Sequence, residues 1–169
     1  MKQAILILAL LLTAHLCTAQ YTEAIKRDAT TYNEAYLAQD YDTYVDLSIE
    51  QIVKLGGGKA SMISVATEQA EMYAGSNMKI ESLTPEAVSE VYTSGDALHV
   101  VLGQRQVISA GDKKFTTLIS YLAESLDEGK TWKFIDLTPY DQESLSLFMP
   151  GISPDVVVPS PQESVLLEE

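Results

Sequence analysis

At Lys79 the spacing of apolar residues changes from every third or fourth position to every second one, and this switch divides the chain into a helical half and a sheet half. Over 21–38, Ile25, Ala29, Tyr32 and Tyr36 recur at helical spacing, with Lys26, Asp28 and Glu34 turned toward solvent. Asp40 or Asp42 is suited to cap a second helix running to Val53 on a stripe of Val45, Ile49, Ile52 and Val53. Gly56-Gly57-Gly58 ends it, because three glycines make a continuous helix entropically unfavourable. No Gly-Lys-Ser or Gly-Lys-Thr comes after them, so the glycines do not read as a phosphate loop. A third helix is expected over 59–74, with Met62, Val65, Ala66, Ala70 and Tyr73 inward and Gly75-Ser76-Asn77 closing it.

Beyond the switch, short strands are expected over 79–83 and 88–93, with breaks at Thr84-Pro85-Glu86-Ala87 and Ser94-Gly95-Asp96. Longer strands are expected over 97–109, 114–125 and 130–137, the first two joined by Ala110-Gly111-Asp112. Helices first and strands afterwards define an α+β class, with N-terminal helices packed on an antiparallel sheet rather than alternating βαβ units.

Between the last two strands lies Ser125-Leu126-Asp127-Glu128-Gly129-Lys130-Thr131-Trp132. Asp127 is placed to accept from turn amides, Ser125 and Thr131 to satisfy neighbouring backbone groups, and Gly129 to take positive φ. Trp132 adds a large apolar anchor. The octapeptide resembles the Asp-box, Ser-x-Asp-x-Gly-x-Thr-Trp, of sialidase-like propellers and other exported proteins. A propeller repeats its blade, whereas this chain has one copy, so the box reads as a hairpin brace before it reads as a carbohydrate site.

The order from Tyr21 through Leu137 resembles the NTF2-like or SnoaL-like superfamily, a cystatin-like α+β cone. The resemblance is carried by the Tyr32 and Tyr36 helix face, the two later helices and the strand series 97–137. It implies a curved, mostly antiparallel sheet around a cavity for small apolar molecules, and in some members a protein-interaction role. A ketosteroid-isomerase-like reading needs a carboxylate base beside the substrate carbon and donors where negative charge develops. Tyr32 and Tyr36 are the candidate donors, with a core role as the competing reading. Asp136 shares strand parity with Trp132 and Phe134, and Tyr121 lies in a mixed apolar and hydroxyl run; each is a cavity candidate or a member of a closed hydrogen-bond network. His99 shares a face with Val101 and Gly103, opposite Leu98, Val100 and Leu102, as a lone acid–base candidate or a satisfied sheet histidine. Tyr32, Tyr36, His99, Tyr121 and Asp136 are therefore the candidate ligand-binding residues. No catalytic residue, metal ligand set or cofactor is assigned: the chain has no His-Glu-x-x-His, nucleophile elbow, cysteine-based pair or dinucleotide fingerprint, and Ser61 and Ser64 read as helix-surface residues.

Residues 1–19 read as an export signal, with Lys2 as positive charge, an apolar stretch from Ala4 to Thr13 and small residues at Cys17-Thr18-Ala19. The apolar run is shorter than the roughly 20 residues of a membrane span, so no stable span is expected and the product is placed in the periplasm or outside the cell. Cys17, the sole cysteine, leaves with the leader unless it is lipidated. The formal charge of −13 opposes nucleic acid, and scattered Asp and Glu read as a solvating surface rather than calcium loops. The domain is expected over 20–140. Residues 141–169 are expected to hold a short helix over 141–148 and an extended Pro-rich tail, loosely packed, with Val156-Val157-Val158 as a candidate edge strand. The function expected is binding of a small apolar ligand or an accessory role. Two alternatives stand beside it: a cavity-based isomerase, dehydratase or cyclase-like enzyme, and a structural or protein-interaction module with a homodimer formed through the sheet.

Overall fold

The computed structural model describes residues 21–167; the expected leader, with Cys17, lies outside the described residues. Helix α1 covers 21–37 and buries Ile25, Ala29, Tyr32 and Ala35 along one stripe. It ends on Gln39 at φ 60°, with the Asp40 amide reaching back to the Ala35 carbonyl at 2.9 Å, a left-handed closure that satisfies terminal carbonyls. Asp40 then caps α2 (Tyr41–Asp46), its carboxylate accepting from the Thr43 amide at 3.2 Å.

The second helix is not continuous to Val53. The Phe134 amide donates to the Leu47 carbonyl at 2.9 Å and the Ile49 amide donates to the Phe134 carbonyl at 3.1 Å, so Ser48 forms a parallel bridge with Phe134. Backbone groups spent on a strand are lost to a helix, and α3 (Glu50–Leu55) starts afresh on the other side. Gly57 and Gly58, at φ 90° and 89°, reverse the chain into α4 (Lys59–Gly75). That helix packs on α2 and the first strand along a narrow stripe in which Ala66 is buried. Val65, expected inward, is 57% exposed, since so thin a contact covers less than one side of the cylinder.

Downstream of α4 the chain builds one open antiparallel sheet of six strands. β1 (Met78–Val88) runs through the expected break at 84–87: Pro85 lacks an amide but sits on an edge strand, where register irregularities absorb it between Ile80 and Ser82 and between Pro85 and Val88. The strand expected over 88–93 is reduced to β2 (Tyr92–Ser94). β3 (Ala97–Ala110) and β4 (Lys113–Ser125) form the long central hairpin, with Leu98 opposite Ser125 and Ala110 opposite Lys113. β5 (Lys133–Asp136) is shorter than expected because 130–132 belong to the turn, and β6 (Val165–Leu167) pairs with the other end of β4. No helix among the described residues is long and apolar enough to cross a membrane.

Strand alternation gives the sheet two apolar faces and two cores. Val100, Leu102, Tyr121, Ala123 and Phe134 meet α1 on the first face, together with Trp132. Leu122, Ile135 and Leu137 meet Ile49, Ile52, Leu145 and the segment from Met149 to Val156 on the second. A reciprocal amide pair fastens α1 to the sheet: Asn33 Nδ2 donates to Gln104 Oε1 at 2.8 Å, and Gln104 Nε2 donates to Asn33 Oδ1 at 3.3 Å, both residues buried.

The C-terminal segment is packed as far as Val158, and residues 159–167 beyond it are exposed. Asp141 caps α5 (Gln142–Phe148) through a capping box with Ser144. Gln142 grips the chain beyond the helix, donating to the Val156 carbonyl at 3.0 Å and accepting from the Val158 amide at 2.9 Å. Val156 is fully buried, so 156–158 is a clamped core segment and the edge strand lies instead at 165–167.

Candidate functional site

Tyr32 and Tyr36, one helical turn apart on α1, project from the same side of the helix toward α2 and the sheet. Tyr32 is buried, stacked on Tyr44 at 4.5 Å between ring centroids, tilted on Phe134 at 5.3 Å and edge-on to Tyr121 at 5.7 Å. Its hydroxyl lies near those of Tyr44 and Ser48, which act on its ionisation. Tyr36 is half-buried, lies 5.1 Å from Tyr44 and 6.2 Å from Tyr41, and donates to Gln69 Oε1 at 3.4 Å.

Asp136 stands opposite Tyr121 in the β4–β5 register, which carries its carboxylate to the same face. Thr138 donates to it twice, from the amide at 2.8 Å and the hydroxyl at 2.6 Å. Both bonds fall on Oδ1, so Oδ2 keeps its lone pairs for another donor. Burial pushes the Asp136 carboxyl above its ordinary range, and the Thr138 bonds oppose this only in part. Burial likewise raises the Tyr32, Tyr36, Tyr44 and Tyr121 phenols, and the charge of Asp136 adds to the shift at Tyr36, Tyr44 and Tyr121. These hydroxyls therefore stay protonated as donors, beside an acid that holds its proton more readily than a surface carboxylate.

An open cavity of about 480 Å³ adjoins this cluster, between the ends of α1 and α4, the start of α2 and the beginning of β1. Tyr36, Tyr41 and Tyr73 supply aromatic wall, Met78 and Ile80 aliphatic wall, and Asn77 a polar edge. Tyr36 joins the two parts, since it lines the cavity and also feels the charge of Asp136. Tyr32, Tyr121 and Asp136 stand behind it and do not form the wall.

Four of the five candidates from the sequence thus come together, and His99 does not. It lies on the second face, 1% exposed, across from Glu124. Sequence reasoning missed Tyr41 and Tyr44, and it read Tyr73 as an inward-facing core residue of the third helix where the structure places it on the cavity wall. Tyr41 and Tyr44 were detectable as an i, i+3 aromatic pair directly after the Asp40 cap, and Tyr41 also stands at i, i+4 to Val45, where the aliphatic stripe begins.

The octapeptide is a closed brace away from this cavity. Asp127 Oδ1 accepts from the Lys130 amide at 3.1 Å and the Thr131 amide at 3.0 Å, while Oδ2 accepts from the Thr131 hydroxyl at 2.8 Å. The Ser125 hydroxyl donates to Asp127 at 2.8 Å and accepts from the Gly129 amide at 2.9 Å. Trp132 is buried, donates its ring nitrogen to the Gly129 carbonyl at 3.1 Å, and meets the Tyr21 ring edge-on. Asp28 of α1 accepts the Trp132 amide at 3.0 Å, which ties the hairpin to the helix. With these polar groups bonded to one another, the brace has a structural role. Compared with known proteins, the chain matches no family model and no curated protein.

Proposed function

We propose that the chain is an exported NTF2-like protein that binds a small, largely apolar ligand bearing a hydrogen-bond acceptor, in a binding or accessory role. The observation that carries this reading is the tyrosine-walled cavity beside a half-buried carboxyl. Ligand sites characteristically combine apolar walls with a few placed polar groups. Three tyrosine rings offer stacking surface, and their protonated hydroxyls favour a carbonyl or ether oxygen over a second donor. The order of helices and strands supports the NTF2-like assignment, and the apolar stretch before Cys17 supports export.

2-Acetylnaphthalene, a neutral planar aryl ketone, is the test ligand. Isothermal titration of the purified protein is expected to give saturable binding, weakened roughly three- to tenfold by Tyr36→Ala through loss of one stacking ring. No saturation, or an affinity unchanged by Tyr36→Ala, would overturn the reading. A second reading, acid–base catalysis, is favoured by the raised Asp136 carboxyl and its uncommitted Oδ2. It requires Asp136→Asn to abolish turnover of a bound ligand while leaving its affinity in place.

A further inference from the structure

The second face of the sheet holds a polar arrangement with no part in the tyrosine cleft. His99 Nε2 lies 3.3 Å from Glu124 Oε2 across the β3–β4 pair. Nδ1 of the same buried ring has no hydrogen-bond partner. A carboxylate next to Nε2 calls for a proton there, whereas a second proton on Nδ1 would be a buried donor with nothing to accept it. The ring is thus tied to Glu124 through Nε2 alone, a contact that fixes where this carboxylate points.

Glu124 also forms part of the wall of a second cavity of about 480 Å³, between α3, the β2–β3 turn and residues 149–152. Leu126, Met149 and Ile152 give it apolar wall, and Asp96 stands on its rim. Glu50 and Lys54, which also line it, satisfy each other at 2.9 Å across one helical turn. Lys133 is opposite Glu124 in register yet makes no ion pair with it, and among the described residues no lysine or arginine is paired with Glu124 or Asp96. Two carboxylates thus stand beside an apolar wall with no lysine or arginine partner among the described residues. They are too few for a hard metal ion, which takes six or more oxygens, and no three metal-ligating side chains converge among the described residues.

From this we infer that the cavity on the second face binds an organic cation: a guanidinium or ammonium head held by Glu124 and Asp96, with an alkyl stem along Met149 and Ile152. A planar guanidinium suits the fixed carboxylate best, because it donates two parallel hydrogen bonds to one carboxyl group. The same head is presented by a free amine metabolite and by an arginine side chain of another protein.

The test is an amide chemical-shift titration with n-butylguanidinium, with butyrate as the charge-reversed control and capped Gly-Arg-Gly as the peptide form. Saturable shifts confined to 94–97, 124–126 and 149–152 are expected with n-butylguanidinium and not with butyrate. Binding of the capped tripeptide at equal or greater strength identifies a protein side chain as the natural source; binding of n-butylguanidinium alone identifies a free cation. Glu124→Gln keeps an acceptor for His99 and is expected to weaken binding roughly tenfold, by loss of a charge-assisted bond. Asp96→Asn changes an exposed turn and serves as the variant that leaves the fold untouched, with a smaller loss. The absence of saturable shifts, equal shifts from butyrate, or affinity unchanged in both variants would overturn the inference.

Discussion

Asp127 shows how much one carboxylate organises. Bonds from Thr131, first from its amide and then from its hydroxyl, lead the causes that hold its carboxyl down to about 2, from an ordinary value of 3.8. A depressed folded pKa contributes stability that is complete above the unfolded value and lost as pH falls through the folded one. The hairpin is therefore expected to loosen between about pH 4 and pH 2, ahead of any change caused by the phenols, which do not titrate there. Trp132 is the sole tryptophan and sits on this brace, so its fluorescence reports the event. Asp127→Ala should remove the acid-dependent step and lower stability by about 1–3 kcal/mol, as measured by urea unfolding at pH 7. A Trp132 signal with the same acid profile in both proteins would contradict the assignment. Gly129 is the companion constraint: it holds φ 83°, and a side chain there would collide with the Tyr21 ring.

Elements are legible in the sequence wherever local chemistry decides them, and illegible wherever a distant partner does. The octapeptide can be read in full because Ser125, Asp127, Gly129 and Thr131 serve one another within a few residues. Helix α1 is legible through its single apolar stripe, and the β3–β4 hairpin through the turn at Gly111. The break between α2 and α3 has no local signal, since it comes from Phe134 taking the backbone groups on either side of Ser48. The Asn33–Gln104 pair is hidden for the same reason, as neither amide predicts its mate. In the candidate site, helix face marks Tyr32 and Tyr36, strand parity marks Asp136 and a mixed apolar and hydroxyl run marks Tyr121, while the cavity wall depends on where α4 lands. The packing of the C-terminal segment is illegible because its prolines mark an extended chain without marking what the chain covers. Gln142 settles that point, with both ends of one amide on 156–158. Gln142→Ala is expected to cost about 1–2 kcal/mol locally and to speed hydrogen exchange at Val158 while leaving β3 and β4 protected. Unchanged protection at Val158 would show that Val156 burial alone secures the segment.

At the scale of the molecule, a charge of −13 acts against compactness everywhere at once. Its cations are largely drawn into short-range pairs such as Lys59 with Asp42 and Asp46, or Lys54 with Glu50, which leaves unpaired acids to repel across the surface. Screening shortens that repulsion as the Debye length falls to about 10 Å near 0.1 M salt. The midpoint of thermal unfolding is therefore expected to rise by a few degrees between 20 mM and 200 mM sodium chloride at pH 7, read by calorimetry. A midpoint that falls with salt would mean that the surface ion pairs outweigh the general repulsion. The two cores meet in β3, β4 and β5, which face both, so unfolding is expected as one transition rather than two. The bridge at Ser48 also sets an order of events during synthesis. A chain that emerges from its N-terminus presents residues 47–49 long before the strand that receives them exists. Neither core is complete until β5 is made, so full protection of the earlier elements against hydrogen exchange is expected only once residues 133–137 have been synthesised.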